Sequence, residues 1–119
     1  MSDENEKLIQ QFRITQEKYR LKLPAKIAQI ESLFALFKKD PADTHHLPEL
    51  TSLVHNLSGS AATFGFSKLG DCARHIEQLL GAETCNTMSI ENNVAKLQSL
   101  LKSVDPEAET LKKTFGVTL

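Results

Sequence analysis

His55 is the residue in this chain best placed to do chemistry. It is followed by Asn56-Leu57-Ser58-Gly59-Ser60-Ala61-Ala62-Thr63-Phe64-Gly65, a run with almost nothing bulky or charged in it. An imidazole titrates near physiological pH, and one standing among small residues is open to whatever approaches it. Gly59 strengthens that reading. A glycine inside a helix costs roughly 1 kcal/mol relative to alanine, and close approach by another backbone or by a bulky oxyanion is a reason to keep it. The other titratable candidates carry less. His45-His46 sits at a helix start and reads as solvated surface or capping. Together with His75 and the two cysteines it shows no zinc-ligand spacing, so no metal is expected. Cys72 and Cys85 lie thirteen residues apart outside any CxxC pattern and read as reduced thiols.

The helix around His55 decides where the ring points. At 100° per residue, Leu47, Leu50, Val54, Leu57, Ala61 and Phe64 form one buried stripe, and His55 lies roughly 130° from its middle. Thr51 and Ser52 are one turn before it, Ser58 and Gly59 one turn after, and Ala62 a further turn along. Ser52, Ser58, Gly59 and Ala62 therefore surround the ring as candidate contacts for a docking partner. An acidic or capping start near Asp43 or Thr44 opens this helix, Pro48 is harmless in its first turn, and Gly65 closes it.

Elsewhere proline and glycine punctuate further helices. Leu8, Ile9, Phe12, Tyr19 and Leu23 recur at helical spacing up to Pro24, which either starts a second helix or kinks a continuous one. Ile27, Ile30, Leu33, Phe34 and Phe37 carry the next stripe to Lys38-Lys39. Ser67 is a candidate cap for a helix with Leu69, Cys72, Ala73, Ile76, Leu79 and Leu80 inward, closed by Gly81 in the left-handed position. Ile90, Val94, Leu97, Leu100, Leu101 and Val104 mark a last helix, with a break or restart at Asp105-Pro106-Glu107 and an end near Phe115-Gly116. No segment alternates as a half-buried strand does. The fold class expected is all-α: an antiparallel four-helix bundle with an additional N-terminal helix.

The 119 residues suit one domain, 1–119, with the core bundle at about 24–115. Hydrophobic residues at 40% and charged residues at 24% are those of a soluble globular protein. A net charge of −1 leaves no electrostatic footprint for nucleic acid or acidic membrane. No apolar run spans a bilayer, and Met1-Ser2-Asp3-Glu4-Asn5-Glu6 is acidic where a signal peptide is basic. A cytoplasmic monomer is expected.

His55 through Phe66, followed by Leu69, Cys72 and Ile76-Glu77, resembles the histidine-containing phosphotransfer (Hpt) domain of two-component phosphorelays. That family carries H-x-L-K-G-S, a small-residue run, a glycine, and a leucine-rich helix ending in Leu/Ile-Glu or Leu/Ile-Gln. Tyr19-Arg20-Leu21-Lys22-Leu23-Pro24 is similar to its N-terminal half. The resemblance implies that His55 is the phosphoacceptor, its Nε2 attacking a phosphoryl group held on a receiver-domain aspartate. It gives Glu77 the task of holding the other ring nitrogen. It implies response-regulator receiver domains and a hybrid sensor histidine kinase as partners, and a Mg²⁺ ion on the receiver rather than any cofactor here. One residue departs from the pattern. Many members have lysine where this chain has Ser58, so Lys68 or Arg74 becomes the candidate cation for the phosphate, unless the receiver supplies it.

No P-loop, glycine-rich kinase box or Asp-rich cluster is present, so a phosphocarrier without its own kinase or nucleotide site is expected. Two other readings stay open. One is a phosphoacceptor module from a hybrid or chemotaxis histidine kinase, although the acidic start at Met1 favours a free-standing protein. The other is a helical adaptor that binds receivers without chemistry.

Overall fold

The structure is a computed structural model and describes residues 3–83 and 86–102. Those residues form four helices: α1 (Asp3–Lys39), α2 (Leu47–Thr63), α3 (Ser67–Leu80) and α4 (Thr87–Lys102). Among the described residues there is no strand. Each helix packs on its sequence neighbour, most closely α2 on α3, and α4 closes the ring on α1. Short connections make neighbours antiparallel, so the result is an up-down-up-down bundle.

The core is aliphatic, with Tyr19, Phe64 and Phe66 grouped toward one end of α1 and Phe34 and Phe37 toward the other. Leu23, Ile27, Ile30, Leu50, Val54, Leu57, Ile76, Ile90 and Leu97 are almost wholly buried. Each was placed on an inward stripe by its spacing. The expected additional N-terminal helix is not separate, because α1 runs unbroken through Pro24 for 37 residues. Pro24 is exposed, and its missing amide removes one intrahelical bond on the solvent side without turning the chain. Burial on α1 begins at Gln16, earlier than the boundary expected near residue 24, and Leu8 on the preceding stretch is exposed. The reason is the length of α1, about 55 Å against roughly 21–26 Å for the other three helices. Its first turns pass beyond the α2–α3 turn. Val104, the Asp105-Pro106-Glu107 break and the end at Phe115-Gly116 lie outside the described residues, as does Cys85.

The helix ends differ in detail from their sequence signals. Neither Asp43 nor Thr44 caps α2: its N-cap is His46, and Asp43 Oδ1 instead accepts the amide of His45 at 3.0 Å. Pro48 sits in the first turn, as its chemistry allows. Ser67 is the first residue of α3 rather than its cap. Gly65 does adopt a left-handed φ of 89°, with Phe66 N–H bonded to Ala61 O at 2.8 Å and Gly65 N–H to Ala62 O at 3.2 Å. That pattern satisfies the last carbonyls of α2. Gly81, by contrast, has φ of −86° and needs no glycine-only conformation.

The α2–α3 turn is pinned by α1. Gln16 is buried and donates Nε2–H to Phe64 O at 2.7 Å. Tyr19 stacks on Phe64 and Phe66, at centroid distances of 4.8 and 5.9 Å. Its hydroxyl lies 2.6 Å from Ser60 Oγ, and Ser60 gives its only proton to Asn56 O at 2.8 Å. Tyr19 is therefore the donor in its own bond.

Burial pushes the Tyr19 phenol above its ordinary value of 10.0, partly opposed by the hydrogen bond to Ser60. The folded state thus holds that proton more tightly than the unfolded chain. The associated stability is complete below the unfolded phenol's pKa and is lost as pH rises through the folded value. The melting temperature of the native protein should fall more steeply above about pH 10 than that of Tyr19→Phe, followed by calorimetry. Parallel pH profiles would show that Tyr19 does not titrate in this window.

Candidate functional site

α2 presents His55 on the side that faces α3. The ring side chain is 68% exposed, and its Nδ1 lies 2.6 Å from Oε2 of Glu77, whose side chain is 30% exposed. An ionised carboxylate can only accept, so Nδ1 carries the proton and the neutral ring keeps its lone pair on Nε2. No described residue bonds Nε2. The arrangement is an oriented imidazole with one nitrogen held and the other open to solvent.

The distance from His55 to Glu77 is set by how near α3 comes to α2. Gly70 supplies the approach. A Cβ at Gly70 would lie 3.0 Å from Ser58 O and 3.2 Å from Ala62 N, both backbone atoms of α2. Glu77 is two turns farther along α3 from this contact, on the strand of helix that passes His55. Sequence reasoning missed Gly70. The signal was available, since a glycine inside α3 carries the same cost that singled out Gly59.

Gly59 has the opposite surroundings. Nothing lies within 4 Å of a Cβ built there, and the residue is exposed. Gly59 makes no close contact inside the protein, and its openness adds to the clearing beside His55. Three hydroxyls of the helix turn back onto it. Ser58 Oγ donates to His55 O at 2.9 Å, Ser60 Oγ to Asn56 O, and Thr63 Oγ1 to Gly59 O at 2.9 Å. Such back-bonding to the preceding turn satisfies them within α2.

The remaining candidates divide. Ser52, Gly59 and Ala62 are exposed, as the helical layout required. Ser58 does not join them. It is 6% exposed, turned beneath α3 with its hydroxyl engaged, and so is removed from the surface where a partner would meet it. Lys68 is also not brought to His55. It lines a groove between α3 and α4 with Cys72, His75 and Lys96. Lys68 is nine residues from Glu77, roughly 180° around the helix. Arg74, three residues before Glu77, lies roughly 60° from it and is exposed, its Nη1 4.0 Å from Asp71 Oδ1.

Cys72 is buried, and its thiol donates to Asn93 O at 3.2 Å. Burial pushes the thiol above its ordinary value, against a smaller effect of Lys96, so it is a packing residue rather than a nucleophile. The His45 and His46 rings meet edge-on at 5.1 Å. Among the described residues no three His, Cys, Asp or Glu side chains gather to hold a metal.

The two glycines give opposite expectations. Gly59→Ala should stabilise α2 by about 1 kcal/mol, because the methyl meets open space. Gly70→Ala should destabilise by about 1–3 kcal/mol, because two backbones must part. Urea unfolding of both variants checks this; equal signs would contradict the described approach of α3 to α2.

A family model for the Hpt domain matches residues 7–110. No curated protein and no solved structure matches the chain. The chain belongs to the Hpt domain family, whose members carry a phosphoryl group on a histidine in phosphorelays and act as carriers rather than catalysts.

Proposed function

We propose that this Hpt domain carries the phosphoryl group on His55, taking it from the aspartate of one receiver domain and passing it to the aspartate of another. The observation that carries the reading is the 2.6 Å contact between Nδ1 of the exposed ring and Glu77 Oε2. It fixes the tautomer that leaves Nε2 as the nucleophile. In the forward step Nε2 attacks phosphorus, the bond from phosphorus to the aspartyl oxygen breaks, and its electron pair stays on that carboxylate. The ring then bears a positive charge that the Glu77 carboxylate offsets. An aspartate oxygen of the second receiver attacks in turn and returns the lone pair to Nε2.

The bundle contributes position, and the receiver contributes most of the charge stabilisation. A magnesium ion belongs to the receiver in this reading, and no cofactor, nucleotide site or kinase activity belongs to this chain. Arg74 is the cation of this chain assigned to the phosphoryl oxygens, since Lys68 faces the opposite side of α3. Ser52, Gly59 and Ala62 are the small surface on which the receiver docks. Residues 1–119 act as one cytoplasmic domain, fed by a hybrid sensor histidine kinase. No helix among the described residues is long and apolar enough to cross a membrane.

The test is transfer from a panel of receiver domains phosphorylated on aspartate. Labelling should appear in the native protein and vanish in His55→Gln; label that persists in that variant overturns the reading. Glu77→Ala should slow transfer by about 10–100-fold, the usual cost when a histidine loses the partner that orients it. Glu77→Gln keeps an acceptor for Nδ1–H and should recover most of the rate. Failure of Gln to outperform Ala would show that orientation is not what Glu77 supplies.

A further inference from the structure

α1 buries one face in the core and leaves three large aliphatic side chains open on the other, Ile14, Leu21 and Leu36. The outer face carries Ile14, Leu21, Ala25, Ser32 and Leu36 together with Lys7, Lys18 and Lys39, all exposed and all within roughly 45° of the direction opposite the core. Leu21 is 72% exposed, Ile14 56% and Leu36 44%, which makes this the largest concentration of open aliphatic side chains among the described residues. A surface helix ordinarily keeps that face polar, and open aliphatic side chains set between lysines there suit a partner that is apolar at its centre and acidic at its rim.

We propose that the outer face of α1 is the interface of an antiparallel homodimer. The face matches itself. Ile14 and Leu36 stand eleven residues either side of Ala25, so a two-fold axis through Ala25 brings Ile14 of each copy against Leu36 of the other. The same axis sets Leu21 opposite Ala28 and Gln29. There α1 and α2 form a groove of about 270 Å³, lined by Ala28, Ser32, Leu33 and Leu53 and rimmed by Glu49. The most exposed large apolar side chain of one copy meets the apolar groove of its twin, twice.

Charge agrees with this pairing. Lys18 and Lys22 flank Leu21, and in the dimer they fall beside Glu49 of the second copy. Within the described residues of one copy neither lysine nor Glu49 makes an ion pair. The contact is about 33 Å long and one helix wide, which is small for a permanent interface and suits a concentration-dependent dimer. His55 stays clear, because Leu53 lies roughly 200° from it around α2.

Sedimentation velocity of the full chain across a wide concentration range tests this. The native protein should pass from monomer to dimer, and Leu21→Glu should weaken association by at least about tenfold while circular dichroism is unchanged. Lys22→Glu should weaken it too, with Glu49→Lys in the same chain restoring it. In a Cys85→Ser background, Ala25→Cys should form a disulfide-linked dimer on mild oxidation. A native chain that is monomeric throughout overturns the proposal. So does a dimer indifferent to Leu21→Glu, whether another face or residues 103–119 of the same chain account for it. Labelling of Leu21→Glu by a phosphorylated receiver should proceed at the native rate, so this result and the assignment of His55 stand or fall separately.

Discussion

The backbone approach of α3 to α2 at Gly70 is the constraint on which the site depends. It brings Glu77 within hydrogen-bonding distance of His55 without either side chain having to be buried. Any side chain at Gly70 would press on Ser58 O and Ala62 N, move α3 outward and lengthen a 2.6 Å contact that has little tolerance. The pair is largely open to solvent, so the hydrogen bond contributes little to stability. Its value is in orientation. Stability is supplied underneath, by the aliphatic layer of Val54, Leu57, Ala61, Ala73 and Ile76 that the same close approach compresses.

Small residues around His55 serve two ends that look alike in the sequence. Gly59 and Ala62 keep the outer surface low, whereas Ser58 and Ala61 let neighbouring elements close in. Ser58, Ser60 and Thr63 would each bring a polar group to the clearing, but back-bonding folds their hydroxyls onto the helix. Apart from the Glu77 carboxylate and the proposed Arg74, what remains near the ring is shape rather than charge. That accords with the proposed carrier, in which the receiver contributes most of the charge stabilisation.

α1 organises the opposite side. Gln16 and Tyr19 clamp the turn that ends α2, so the exit from the site-bearing helix is fixed by a helix that never touches His55. The core stripe of α1 accounts for its role in the bundle but leaves Ile14, Leu21 and Leu36 open within one copy. The proposed second copy would cover them while leaving the surface around His55 open.

Helical periodicity by itself determined the all-α class, nearly every buried position, and the outward aim of His55. Those properties follow from the angle between successive residues and need no knowledge of neighbours. Gly65 was legible as the end of α2, whereas the left-handed turn expected at Gly81 is found at Gly65 instead. The continuity of α1 through Pro24 was not legible, because an exposed proline bends a helix only as far as packing permits. The burial of Ser58, the turning of Lys68 toward α4 and the burden carried by Gly70 were decided only in the tertiary structure. Each depends on which helix lies alongside and at what distance. His55 thus had its direction from its own helix, and its partner from the gap to the next.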